Sequence, residues 1–460
     1  MAMSGYEVID PASGETLQRY PNATDAQMAA ALASSSRAYG AWSSVPVAQR
    51  CALLNCVADL HLQRREVLAR IINREMGKNL DAAADEVDFS AEIYRYYAQN
   101  APEFLADEPV DLLGGAGRAL IRRCPVGPLL GIVAANYPYY LVATFAAPNL
   151  AAGNTIVLKH APQCPESAAA IHEIFRDAGF SEGAFVNVYA TNDQVAAAIA
   201  DPRIAGVSLT GSQQAGAAVA EIAGRHLKKV SLGLNGSDPF VVLSTHDLDA
   251  VVRAAVFSRT ENSGQVCNAA KRFIVAADIY EEFLDRFTRE MLQTAAELAP
   301  LSSQAAARRL AALVDLAVAD GATSVSQGQR RGAWFPPTVL TDVEPGSASY
   351  SQEFFGPVAI VSKVSSEDEA VALANHTPFG LGAYVFTTDP EQGDRIASRI
   401  EAGMVYINLI CTDEIELPFG GVKRSGWRRE LGRQGIEEFL NRKLIRVGPA
   451  SAQVTTTSAS

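Results

Sequence analysis

The run Leu130-Gly-Ile-Val-Ala134, followed by a helical stretch near 142–150 and then by Thr155-Ile-Val-Leu158, decides the fold. Apolar runs of four or five residues with helix-length stretches between them have the pattern of strands covered on both faces, and parallel neighbours need a helix to cross over. The alternation continues with a helix over 167–178, Val186–Tyr189, a helix over 194–199, Val207–Leu209 and a helix over 214–224. A second series begins at Pro239-Phe-Val-Val-Leu243. It runs through a helix over 248–259, Phe273–Ala276, a helix over 279–298, Ala359–Val364, a helix over 367–375, Tyr384–Thr387, a helix over 390–400 and Val405–Asn408. The expected fold class is α/β, with two doubly wound domains meeting near residue 235.

Upstream, 25–42 and 47–76 read as amphipathic helices, with Met28, Leu32, Ser35 and Tyr39, then Leu53, Leu54, Val57 and Leu60, recurring mostly at three or four residues. Between these helices and the first α/β series, Val110-Asp-Leu-Leu and Arg118–Cys124 flank Gly114-Gly-Ala-Gly, the pattern of two strands joined by a glycine turn. A hairpin set between larger units suits an arm reaching another subunit. The Ser/Thr/Ala-rich end, 450–460, is expected to be a flexible tail.

The composition narrows the function. Of 460 residues, 48% are hydrophobic and 20% charged, a mix that excludes disorder. Against 51 acidic residues stand 39 Lys and Arg, a net charge of −12, so no general positive field exists for nucleic acid. No apolar run is long enough to span a membrane, and Met1-Ala-Met-Ser-Gly5 lacks the form of a signal peptide, which predicts a cytoplasmic protein. The cysteines at 51, 56, 124, 164, 267 and 411 form no C-x-x-C pair, and the histidines are dispersed. Reduced thiols, with neither disulfides nor a metal, are expected.

One thiol has chemical surroundings. In Asn262-Ser-Gly-Gln-Val-Cys267, Gly264 permits a close backbone approach, and Lys271 and Arg272 follow about one turn later, where positive charge favours a thiolate. Local composition alone leaves Cys267 open between a nucleophile and a small core residue. Asn136 ends an apolar strand before Pro138, where an open α/β sheet binds ligands; it could donate to an oxyanion or simply form the turn. The G-x-G-x-x-G fingerprint is absent, so a dinucleotide, if bound, is held differently.

In this order these segments resemble the aldehyde dehydrogenase superfamily. Gly153-Asn-Thr-Ile-Val-Leu-Lys159 resembles its strand ending in a cofactor-ribose lysine, and Ser208-Leu-Thr-Gly-Ser212 its pyrophosphate turn, where a helix N-terminus meets phosphate. Gln352-Glu-Phe-Phe-Gly-Pro357 is similar to its E-x-F-G-P segment, and Pro418-Phe-Gly-Gly-Val-Lys-Arg-Ser-Gly426 to its closing signature. The similarity runs from about 8 to 448, and Lys159-His-Ala-Pro162 looks most like the bacterial succinate-semialdehyde dehydrogenase branch.

The resemblance implies an NAD(P)-binding domain over 1–106 and 126–235, a catalytic domain over 236–424 that carries Cys267, and an oligomerisation arm over 107–125 and 440–449 that builds homodimers or homotetramers. It implies that Lys159, His160, Thr210, Gly211, Ser212, Glu353 and Phe355 bind the cofactor. NAD-preferring members carry an acid three residues after the lysine; Pro162 stands there, which leans the choice toward NADP. Cys267 would attack an aldehyde, Asn136 and the Cys267 backbone N–H would hold the oxyanion, and a thioester would remain after hydride departs.

One position departs from the family. Its general-base glutamate corresponds to Gly233 in Ser231-Leu-Gly-Leu-Asn235-Gly236. General-base catalysis is worth about 10²–10⁴-fold, so hydrolysis is expected to be impaired, and Gly233→Glu to restore it where the backbone tolerates a side chain. Glu261 is a potential substitute base. Otherwise the thioester is transferred to a thiol such as coenzyme A, or the enzyme runs reductively from an activated acyl donor. A catalytically weak nucleotide-binding protein is the third reading, disfavoured by the retention of Cys267, Asn136, Lys159 and Glu353. Tyr137 and Tyr140 are expected to line the substrate entrance. The acids Asp413, Glu414 and Glu416 oppose an anionic semialdehyde unless Arg259 or Arg428 reverses the sign. Cys411, in the same loop, could pair with Cys267 by oxidation or simply pack.

Overall fold

The computed structural model describes residues 5–410 and 414–449. A five-stranded parallel sheet has the order Phe185–Asn187, Thr155–Lys159, Pro128–Ile132, Gly206–Thr210, Lys229–Gly233. The chain starts in the middle, winds outward one way, then returns to wind the other way. The reversal lies between Pro128–Ile132 and Gly206–Thr210. At that switch point the loops leaving adjacent strands part and leave a crevice. Asn136 and Ser212 follow those two strands and therefore reach the same opening.

The second sheet has seven strands, in the order Thr323–Ser326, Thr338–Thr341, Val358–Val364, Ala270–Ala276, Asp238–Val242, Tyr384–Phe386, Tyr406–Ile407. All pairings are parallel except that of the edge strand Thr323–Ser326. Phe240, Val242, Phe273 and Val275 are buried beneath the helices Leu248–Thr260 and Tyr280–Gln293. Both expected strand series are therefore present. Helix ends differ locally: the stretch over 279–298 leaves α geometry at Gln293 for a 3-10 turn, Thr294–Ala296.

The glycine-linked hairpin pairs Glu108–Val110 with Arg118–Pro125, and Leu440–Val447 adds to the other side, giving a three-stranded antiparallel sheet. Its outer strand leaves Leu444 largely exposed. Helix Asp25–Trp42 agrees with the apolar periodicity, whereas the stretch over 47–76 forms two helices, Val47–Gln63 and Arg65–Met76, broken at Arg64, whose φ/ψ of −101°/9° leave the helical region; Leu80–Phe104 packs beside them. The hairpin Tyr6–Ile9 with Thr16–Tyr20 and the helix Gln304–Ala319 are not among the elements expected from the sequence. No helix among the described residues is long and apolar enough to cross a membrane. The expected tail from 450 onward lies outside the described residues.

Candidate active site

Cys267 reaches the crevice through a left-handed run. Helix Leu248–Thr260 ends, and Asn262, Ser263 and Gly264 adopt φ of 47°, 55° and 76°, turning the chain into the opening. A methyl group on Gly264 would overlap the Gly356 carbonyl, so this glycine serves both the turn and the contact with Glu353-Phe-Phe-Gly356. Arg259, expected to be available to a substrate anion, is instead fully buried. Its guanidinium donates to the carbonyls of Gly264 (2.6 Å) and Ala270 (2.8 Å), clamping both ends of the Cys267 loop. Arg272 likewise turns inward, to the carbonyls of Ser237, Leu373 and Ala374. Only Lys271 supports the thiol: its ammonium donates to the carbonyls of Val266, Cys267 and Ala269 at 2.9, 2.8 and 3.1 Å.

Asn136 is tied to the same loop. Its Nδ2 donates to the Gln265 carbonyl at 3.1 Å, and its own carbonyl accepts from Asn262 Nδ2 at 3.1 Å. One amide hydrogen anchors the side chain two residues before Cys267; the other remains for a ligand. Cys267 is half-buried and opens on the cavity. Dense surroundings push its thiol up to about 12, Lys271 pulls it down, and the carboxylates of Glu353, Asp238 and Glu430 push it further up.

The cavity has a volume of about 940 Å³ and continues from Cys267 and Asn136 past Gly233 and Asn235 to Thr210, Gly211, Ser212, Glu353 and Phe355. This size suits a cofactor together with a small substrate. Ser212 caps helix Gln213–Arg225, accepting from Ala215 N–H at 3.3 Å. Lys159, at the end of its strand, is buried to 8% exposure, and its ammonium finds no acceptor among the described residues. It lies 5.9 Å over the Tyr6 ring and is not part of the cavity lining around Thr210 and Ser212; a buried cation without an acceptor fits an anionic or hydroxyl-bearing ligand. His160 does not contribute a donor there: its Nε2 donates to the Pro138 carbonyl at 3.0 Å, its Nδ1 accepts from Ala161 N–H, and burial holds it down to about 4.

Asn235 is a site residue that sequence reading registered only as a missing glycine. Its Oδ1 accepts from Gln213 N–H at 2.9 Å and its Nδ2 donates to Glu353, joining the phosphate-type helix end to that carboxylate. Glu353 also meets Lys271 at 3.3 Å.

On the other side, Tyr137 and Tyr140 line the cavity with their rings 5.9 Å apart. The Tyr137 hydroxyl donates to Glu261 Oε1 at 2.6 Å, which brings Glu261 to the cavity wall. Lys78 lies 3.6 Å over the Tyr137 ring and is paired with buried Glu86 at 2.5 Å. Arg428 is paired with buried Glu430 at 2.7 Å. These two cations are thus already paired with carboxylates, whereas Arg309 also lines the cavity and forms no ion pair among the described residues. Neither pair shows a sequence signal: Lys78 stands just before the helix Leu80–Phe104 that carries Glu86, and Arg428 and Glu430 fall just past the closing signature. Asp413 and Cys411 lie outside the described residues.

A thiol and an amide donor that share a cavity with a helix N-terminus, at the switch point of a doubly wound sheet, form the layout of nucleotide-dependent enzymes acting through cysteine. The sequence model of the aldehyde dehydrogenase family matches residues 2–445, and the chain belongs to this family of oxidoreductases acting on aldehydes. It is 46% identical over 455 residues to a succinate-semialdehyde dehydrogenase [NADP(+)] of Deinococcus radiodurans, covering 96% of this chain and 95% of the relative. The protein of the same description from Mycobacterium avium is 42% identical over 460 residues, covering 96% and 97%. Among solved structures, the succinic semialdehyde dehydrogenase of Streptococcus pyogenes in complex with NADP+ superposes with a TM-score of 0.93 at 38% identity, covering 96% of this chain and all of that one.

Proposed function

We propose that the protein oxidises a semialdehyde-class substrate with NADP+ in preference to NAD+, through a thioester on Cys267. The observation that carries this reading is the single cavity that joins Cys267 and Asn136 to Thr210, Gly211, Ser212, Glu353 and Phe355. Residues 1–106 and 126–235 would hold the cofactor, 236–424 would supply the catalytic loop, and the sheet of 107–125 and 440–449 would join subunits into a cytoplasmic dimer or tetramer. The bound cofactor supplies a hydride acceptor. Cys267 Sγ would bond to the aldehyde carbon while Asn136 Nδ2 and the Cys267 N–H hold the oxygen as charge develops on it. Tyr137 and Tyr140 would flank the substrate. With no carboxylate at 233, release of the acyl group is slow or relies on a substitute, for which Glu261 lies at the wall.

Stoichiometry tests the reading. With NADP+ and succinate semialdehyde, nicotinamide absorbance should rise in a burst of about one equivalent per active site, with an acyl adduct on Cys267 in the intact mass. Steady turnover after the burst that drops in Glu261→Gln assigns the substitute base to Glu261. Turnover that needs added coenzyme A assigns thioester transfer instead. The absence of both burst and adduct with a panel of aldehydes refutes the proposal.

Cofactor preference has its own readout. Burial lowers Lys159 to about 8, so its charge is present at pH 7 and lost as pH rises through 8. The Kd for NADP+ by calorimetry is therefore expected to weaken roughly tenfold from pH 7 to 9, following the protonated fraction of the lysine. Lys159→Met should bind weakly and without that pH dependence.

A further inference from the structure

Gly233 is not glycine for conformational reasons. Its φ lies outside the left-handed region, so the backbone there can carry a side chain. A methyl group on it would nevertheless overlap the guanidinium of Arg428. Arg428 is held in that place: it is 5% exposed, it pairs with Glu430 at 2.7 Å, and Glu430 in turn accepts from the Thr144 hydroxyl at 3.0 Å. If the guanidinium swung away, a buried carboxylate would be left unpaired. Gly233, Arg428, Glu430 and Cys267 all line the one cavity.

We propose that Arg428 decides the fate of the acyl group: by occupying the space beside Gly233 it keeps a proton-accepting carboxylate out of that part of the wall, so that release from Cys267 is the slow step. The inference rests on the thioester reading above. In release, the oxygen of water bonds to the acyl carbon and the carbon–sulfur bond breaks with its electrons on Sγ. One water proton is lost to an acceptor during attack, and the second leaves from the nascent carboxylic acid. A guanidinium cannot accept that first proton. Glu430 meets both Arg428 and Thr144 through Oε1. The pair therefore substitutes a fixed cation and a carboxylate bound to it for a free base.

The test is an exchange. Wild type, Gly233→Glu, Gly233→Glu with Arg428→Gly, and that double variant with Glu430→Gln are each mixed with NADP+ and either succinate semialdehyde or propanal. Glu430→Gln removes the carboxylate that the exchange would orphan while keeping an acceptor for Thr144. Burst, steady rate, adduct mass and melting are recorded. Wild type is expected to show a one-equivalent burst and then a steady rate at least tenfold slower. Gly233→Glu alone should gain nothing. The exchange, in either form, should raise the steady rate by about 10²-fold, with an acidic limb in its pH profile from the new carboxylate. Equal gain from Gly233→Glu alone overturns the proposal, as does a folded exchange that keeps its burst and adduct but gains nothing. Wild-type turnover without a burst overturns it too, and so does unfolding of both exchanges, which would make Arg428 a support of the wall and not an occupant of the space. The absence of any adduct refutes the thioester reading, and this inference falls with it.

Discussion

Asn136→Ala is expected to lower the rate of the nicotinamide burst by about 10²–10³-fold, the cost of one oxyanion donor, or about 2.7–4 kcal/mol. The geometry gives the reason. Asn136 Nδ2 is fixed to the Gln265 carbonyl at 3.1 Å, so the free amide hydrogen is held beside the Cys267 loop before any substrate arrives. A donor already oriented costs no reorganisation when charge develops. Asn136→Asp keeps the size of the side chain but removes both N–H groups and adds a negative charge beside the thiol, so its burst should fall at least as far. Alkylation of Cys267 by iodoacetamide forms no oxyanion and should change by less than about threefold in Asn136→Ala. If alkylation falls in parallel with the burst, Asn136 acts by placing the thiol and the oxyanion assignment is wrong.

The parts of this molecule that were legible in advance are those written locally. Leu130–Ala134 and Thr155–Leu158 are short apolar runs with helix-length gaps, and the structure pairs them as parallel neighbours, Leu130 opposite Val157. Gly264 was read as a point of close approach, and it abuts Gly356. What could not be read is which partner each polar side chain takes in three dimensions. Lys271 and Arg272 both stand as cations near a thiol in the sequence, yet the second spends its charge on the carbonyls of Ser237, Leu373 and Ala374 while the first donates to the Cys267 carbonyl. His160 follows Lys159 directly, but its ring is taken up by the Pro138 carbonyl and the Ala161 N–H. The absence of a side chain at 233 was visible as a departure, whereas its steric counterpart at 428 emerged only when strand Lys229–Gly233 was set against the segment after the closing signature.

The remaining large effect concerns how Cys267 becomes nucleophilic at all. With burial pushing the thiol up to about 12, thiolate is scarce at neutral pH, and a group that raises this value further slows the thiol. The ammonium of Lys271 is the group pulling it down, against Glu353, Asp238 and Glu430. Lys271 itself faces Glu353, Arg259 and Asp238, and burial lowers it too. Removing the charge therefore raises the thiol pKa. Lys271→Gln is expected to cut iodoacetamide alkylation at pH 8 by about tenfold or more, one pKa unit being tenfold in thiolate below the pKa. Lys271→Met should do the same, and its melting temperature should fall as well, because three buried carbonyls lose their donor. Glutamine can still donate to part of that set, so a purely structural lysine would leave the Lys271→Gln alkylation profile where wild type has it. Lys271→Arg, which keeps the charge, should recover most of the alkylation rate. Parallel failure of Arg and Gln would mean that the shape of the lysine, and not its charge, is what the cysteine loop requires.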